Sequence, residues 1–183
     1  MNVPQPAVEL PVPVAEEHLV DLLDPAAVFR RYSSYVAAVA QRLLGRDSEV
    51  DDTVQEVFVA ALRGLRQVRD PAAIKGWLAR ITVRVAGRRL RARRLRSFLR
   101  LDQAPAEALP IDRGATPEQR ALLASLYRAL DELPAAQRVA WTLRHVEGER
   151  LDAVATLSGC SLATVKRRIA AAEKRLEELL SDV

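Results

Sequence analysis

Apolar residues recur at three- and four-residue intervals along most of this chain, and nowhere show the strict alternation of a half-buried strand. Val28, Tyr32, Tyr35, Val36, Val39, Leu43 and Leu44 mark the buried face of a first helix. Asp24-Pro25 starts it, the carboxylate as N-cap and the proline where a missing N–H costs nothing, and Gly45 ends it. Val50, Val54, Val57, Phe58, Ala61, Leu62 and Leu65 define a second helix, for which Ser48 and Asp51 suggest a capping box. Asp70-Pro71 repeats the first start signal, and Ile74, Trp77, Leu78, Ile81 and Val85 follow as a third stripe that runs on into arginines. Three amphipathic helices on short turns predict a small bundle.

Periodicity is lost over 101–115 (LDQAPAEALPIDRGA), the expected interdomain linker. It returns at Thr116-Pro117-Glu118-Gln119, a proline start with a capping box, followed by Leu122, Leu123, Leu126, Ala129 and Leu130. Pro134 opens a helix with Val139, Ala140, Leu143 and Val146, closed at Gly148. A short helix (Leu151, Val154, Ala155, Leu157), the turn Ser158-Gly159-Cys160 and a longer helix capped by Ser161 complete the chain. The fold class expected is all-α: two small helical domains, 25–100 and 116–183, with a flexible linker between them. Residues 1–24, with four prolines and five acids, read as a disordered tail or as an acidic arm that shields a basic surface.

Composition sharpens this picture in two places. Hydrophobic residues are 49% of the chain but aromatics only 4%, so the core is built from Leu, Val and Ala, which favour helices over sheets. The single Cys160 leaves no internal disulfide or cysteine-rich zinc site and suits a reducing cytoplasm. No apolar run reaches membrane-spanning length, so membrane insertion is not expected.

The formal charge is +4, but its distribution says more. Residues 75–100 carry Lys75, Arg80, Arg84, Arg88, Arg89, Arg91, Arg93, Arg94, Arg96 and Arg100 without one acid. Arg80, Arg84 and Arg88 stack like charges at i,i+4 spacing, which destabilises a free helix and is relieved when phosphates neutralise it. Arginine also favours bidentate contacts to phosphates and bases. Trp77 lies on the apolar stripe and reads as core rather than as a base-stacking platform. A solvated face or an acidic protein partner remains the plain alternative.

Residues 150–176 meet the requirements of a helix-turn-helix: Ala155 where helices approach, Gly159 in the turn, and Leu162, Val165 and Ile169 for the core. Ala163, Lys166, Arg167 and Ala170 then point outward at the start of the second helix, where major-groove contacts are made, with Arg168 toward the flanking backbone. An ordinary helical hairpin is the plain alternative. His18 and His145 stand alone, and no nucleophile–base set, phosphate loop or metal cluster points to an enzyme or to a cofactor.

Four motifs in order resemble the extracytoplasmic-function class of RNA polymerase sigma factors. Asp51-Asp52-Thr53-Val54-Gln55-Glu56-Val57-Phe58 is similar to the family's acidic "EDxxQEvF" segment, and Trp77-Leu78-Ala79-Arg80-Ile81 to its "WLxxIA…RR" helix. Leu130-Asp131-Glu132-Leu133-Pro134 with Gln137-Arg138 resembles "LxxLPxxqR", and Ala163-Thr164-Val165-Lys166-Arg167-Arg168 resembles "GTVkSR". The resemblance implies sigma region 2 and sigma region 4. It assigns Asp51, Asp52, Gln55, Glu56 and Phe58 to docking on the β′ clamp helices of core RNA polymerase. It assigns Arg80, Arg84, Arg88, Arg89 and Arg91 to the minus-ten region of promoter DNA, and Ser161, Ala163, Thr164, Lys166, Arg167 and Arg168 to the minus-thirty-five element. The β flap and an anti-sigma factor are further partners it implies. Arg84 replaces the family's usual Asn, Ala163 and Arg167 its Gly and Ser, and Ala171 and Glu173 a later arginine pair, so the family's base preferences do not transfer. The loop 66–73, where the family captures an extruded promoter base, matches no firm motif here. The rival reading is a stand-alone helix-turn-helix regulator that never docks polymerase, which leaves the acidic segment and the arginine helix unexplained.

Overall fold

In the computed structural model, residues 24–45, 47–99 and 116–181 are described. The acidic tail, Arg100 and the expected linker at 101–115 lie outside them, except Asp24. The described residues form seven α-helices and no strand. These are α1 (Pro25–Leu44), α2 (Val50–Gly64), α3 (Ile74–Phe98), α4 (Pro117–Asp131), α5 (Ala135–His145), α6 (Leu151–Ser158) and α7 (Leu162–Ser181).

Local chemistry sets most of the ends. Asp24 accepts from the backbone N–H groups of Ala26 and Ala27, and Asp70 from that of Ala72, although Pro71–Ala73 is a 3-10 turn and α3 proper begins at Ile74. Thr116 and Gln119 form a reciprocal capping box, and Ser161 accepts from Thr164 N–H at 3.2 Å. Gly45 and Gly159 hold left-handed cap conformations at φ 66° and 62°. Two expectations fail. The Ser48–Asp51 box does not cap α2, because Asp47–Glu49 makes a 3-10 turn and Glu49 occupies the N-cap position without a side-chain bond. The α5 helix stops at His145 rather than at Gly148.

The first module packs α1, α2 and α3 around Val28, Val36, Val57, Ala61, Leu65, Ile74, Leu78, Ile81 and Val85. A second cluster joins both halves of the chain. Val39, Ala40, Leu43, Leu44, Val50, Val83, Ala86 and Leu90 pack with Ala135, Val139, Ala140, Leu143, Val154, Val165 and Ile169. The arginine helix α3 therefore buries two faces, one in its own bundle and one against α5 and α6. The two modules are distinct in sequence but share a core. Leu62, Leu122 and Leu162, expected in cores on spacing alone, are 56%, 71% and 44% exposed.

Candidate nucleic-acid and protein interfaces

On α2 the N-terminal Asp51 and the apolar face meet at one groove. Asp51, Asp52 and Gln55 are exposed, and Phe58 is half-buried with its ring edge-on to Phe29, the centroids 4.8 Å apart. Phe29, Val59 and Leu62 stay open to solvent along a groove of about 540 Å³ between α1 and α2. Contiguous exposed apolar surface with a polar rim is the form of a protein-docking site. Sequence reasoning missed Phe29 and Val59; the available signal was apolar residues beside the acidic cluster but off the buried stripe.

Glu56 is turned elsewhere. Its carboxylate pairs with Arg88 and, at 3.3 Å, with Arg89 on α3. Arg93 is buried, its Nη1 donating to Asp131 at 3.2 Å and to the Leu44 carbonyl at 3.1 Å. The Arg93 Nη2 also lies 2.9 Å from Glu49 as an ion pair without hydrogen-bond alignment. Arg94 donates to the Glu132 carbonyl, and Lys75 sits over the Tyr35 ring. Arg80, Arg84 and Arg91 are exposed and form no ion pair with any described residue. The like-charge stack expected at positions 80, 84 and 88 is thus relieved at Arg88 by the protein itself and persists at Arg80 and Arg84. Trp77 packs on the first-module core, its ring so close to Gly64 that a Cβ there would lie 2.9 Å away.

In the helix-turn-helix formed by α6 and α7, Val165 and Ile169 are buried while Ser161, Ala163, Lys166, Arg167 and Ala170 are exposed. Thr164 is half-buried, its hydroxyl 2.9 Å from that of Ser161. Arg168 is half-buried too and donates to the Cys160 sulfur at 3.3 Å, facing Arg80, Arg84 and Arg91 across a cleft of about 410 Å³. Lys166 and Arg167 alone place free cationic heads at the start of α7. Among the described residues no group of His, Cys, Asp and Glu side chains could hold a metal ion, and no helix is long and apolar enough to cross a membrane.

Comparison with known proteins matches two family models in order: sigma-70 region 2 over residues 28–96 and sigma-70 region 4 over residues 123–176. The ECF RNA polymerase sigma factor SigE of Mycolicibacterium smegmatis is 30% identical over 158 residues, covering 83% of this chain and 60% of that protein. The ECF RNA polymerase sigma-E factor of Escherichia coli is 31% identical over 157 residues, covering 80% and 81%. Among solved structures, the sigma factor RpoE of Bartonella quintana, crystallised with the anti-sigma factor NepR, superposes with a TM-score of 0.58 at 25% identity. That match covers 93% of this chain and 98% of the other.

Proposed function

This chain belongs to the extracytoplasmic-function type of the sigma-70 family, and on that premise we propose that it joins core RNA polymerase and directs it to promoters to begin transcription. The proteins of this family are not enzymes; the bond chemistry is the polymerase's. The observation that carries the reading is the presence, on one chain, of an acid-rimmed apolar groove and two cationic helices facing elsewhere. The groove of Phe29, Phe58, Val59 and Leu62, edged by Asp51 and Gln55, is with the neighbouring exposed Asp52 the docking face for polymerase. Arg80, Arg84 and Arg91 of α3 meet the minus-ten DNA, and Lys166 and Arg167 of α7 enter the major groove at the minus-thirty-five element. Arg88, Arg89 and Glu56 form the hinge of charge between these faces and act first on each other.

On the same reading the protein works in the cytoplasm beside its polymerase, with an anti-sigma factor as a natural partner, as one is for the Bartonella relative. Run-off transcription with purified core polymerase on a promoter library tests the proposal. Promoter-specific transcripts that need this chain are the expected result. Operator-like DNA binding without association with core enzyme would favour a stand-alone regulator.

A further inference from the structure

Positions 80, 84, 87 and 91 fall on one stripe of α3. Arg80, Arg84 and Arg91 line that stripe, and Gly87 leaves a gap in the row of cations. An interior glycine costs a helix stability relative to alanine. Neither backbone nor neighbours require one here. Gly87 does not hold a positive φ, and an added Cβ would meet only Arg91 Nη1 at 3.6 Å and Val139 Cγ2 at 4.0 Å. What the glycine provides is room beside the arginines.

Across that room stands Arg168 of α7, so four guanidiniums converge on a cleft of about 410 Å³ in which no lining residue is an acid. Arg80, Arg84 and Arg91 form no ion pair with any described residue. Arg168 gives one N–H to the Cys160 sulfur at 3.3 Å, a weak acceptor, and keeps its other donors. The Ser158 hydroxyl, on the same cleft, is buried without a hydrogen-bond partner. A buried polar atom left in that state costs stability unless a guest supplies the bond. Val83, Val139 and Leu157 add an apolar wall.

We propose that this cleft binds a small polyphosphate of the nucleoside triphosphate class, its phosphates on the four arginines and the Ser158 hydroxyl and its nucleoside on the apolar wall. Like charges gathered without a counter-charge repel one another, and an anion among them removes that repulsion. One phosphate, at a charge of about −2, neutralises only half of the four cations, so a chain of phosphates fits better than a lone one. Guanidiniums hold phosphate oxygens through paired, charge-assisted bonds. The volume of the cleft falls within the range of about 300–1,000 Å³ usual for small-molecule sites. Promoter phosphates and the small ligand then compete for Arg80, Arg84 and Arg91. That competition rests on the sigma-factor reading; the site itself does not.

Equilibrium dialysis of the full chain against ATP, inorganic triphosphate and adenosine, in magnesium-free buffer, tests the site. ATP and triphosphate should bind saturably at one per chain, and adenosine at the same concentrations should not. Tighter binding of ATP assigns the wall to the nucleoside, whereas equal affinities assign the site to an inorganic phosphate chain. Ala136, half-buried in the first turn of α5, also lines the cleft, and a carboxylate is favourable at that end of a helix. Ala136→Glu should therefore fold and lower ATP affinity by roughly tenfold or more, as should Arg168→Ala. If either loses helical circular dichroism, the other carries the test. Arg63→Ala, which removes an exposed cation on α2, should change affinity by less than about twofold. No saturable binding, undiminished binding in a folded variant, or equal losses in Arg63→Ala and Arg168→Ala would overturn the site. Anisotropy of a labelled duplex on the free chain reports separately on the competition. Weaker duplex binding in the presence of ATP supports it. Unchanged duplex binding beside intact ATP binding keeps the site and removes these arginines from the DNA contact.

Discussion

The ring of Tyr127 on α4 lies against the backbone of Gly45 at the end of α1, so closely that a Cβ at position 45 would sit 2.2 Å from the tyrosine Cδ1. Gly45 also needs its φ of 66° to turn the chain out of α1. Gly45→Ala meets both constraints and should destabilise the protein by about 1–3 kcal/mol. Urea denaturation of the single variant and of Gly45→Ala with Tyr127→Ala separates the two. Measured against Tyr127→Ala alone, adding Gly45→Ala should cost only the backbone part; an undiminished cost in that background would show that the ring does not press on position 45.

Lys166 and Arg167 are the exposed cations at the start of α7. Replacing both with Ala should weaken holoenzyme binding to promoter DNA by roughly tenfold or more and make its salt dependence shallower by roughly 2 in the log–log slope. Filter binding across a salt series checks both numbers. An unchanged slope would remove these residues from the DNA contact.

Glu56 and Asp52 share the acidic segment but have different partners. Glu56→Gln releases Arg88 and Arg89, so non-specific DNA binding should gain roughly 1–2 in salt slope. Asp52→Asn should leave that slope alone and weaken association with core polymerase. The stability cost of Glu56→Gln should stay below about 1 kcal/mol, because its pair with Arg88 is largely solvated. Equal effects of the two substitutions on DNA and polymerase would contradict this division.

Burial raises the phenol pKa of Tyr35 above the ordinary 10.0, helped by the carboxylates of Glu147 and Glu149. Burial likewise raises Tyr127, against the opposing pull of the Arg138 and Arg42 guanidiniums. The folded chain holds these protons more tightly than the unfolded chain, which releases them first as pH rises. Stability is therefore complete below pH 10.0 and falls as pH climbs through the raised folded values. Urea midpoints between about pH 8 and about pH 11 should show this loss, and Tyr127→Phe should make it smaller. An alkaline loss of the same size in Tyr127→Phe would exclude Tyr127 as a contributor.

What the sequence discloses is local, and what it conceals is contact between distant segments. Asp24-Pro25, Asp70-Pro71 and the Thr116–Gln119 box were readable because each partner lies within three residues. The Ser48–Asp51 pattern misled because the preceding 3-10 turn moves the start of α2 beyond it. Val83, Ala86 and Leu90 were hidden among arginines, so the second buried face of α3 was invisible as a stripe. Arg93 reads in the sequence only as one member of the arginine run, and Arg138 only as part of the Gln137-Arg138 motif. Their burial depends on carbonyls at positions 43 and 44 and a carboxylate at 131, which no spacing rule connects. The exposed face of α7 was legible because Val165 and Ile169 fix its rotation.

The second apolar face of α3 also sets a hazard during synthesis. Val83, Ala86 and Leu90 emerge from the ribosome before α5, whose last residue, His145, lies 47 positions after Phe98 (145 − 98). At about 5–20 residues per second, the nascent first module waits roughly 2–9 s with that face bare. A half-made chain is therefore the most adhesive form this protein takes, and chaperones should meet it on α3 before any polymerase does.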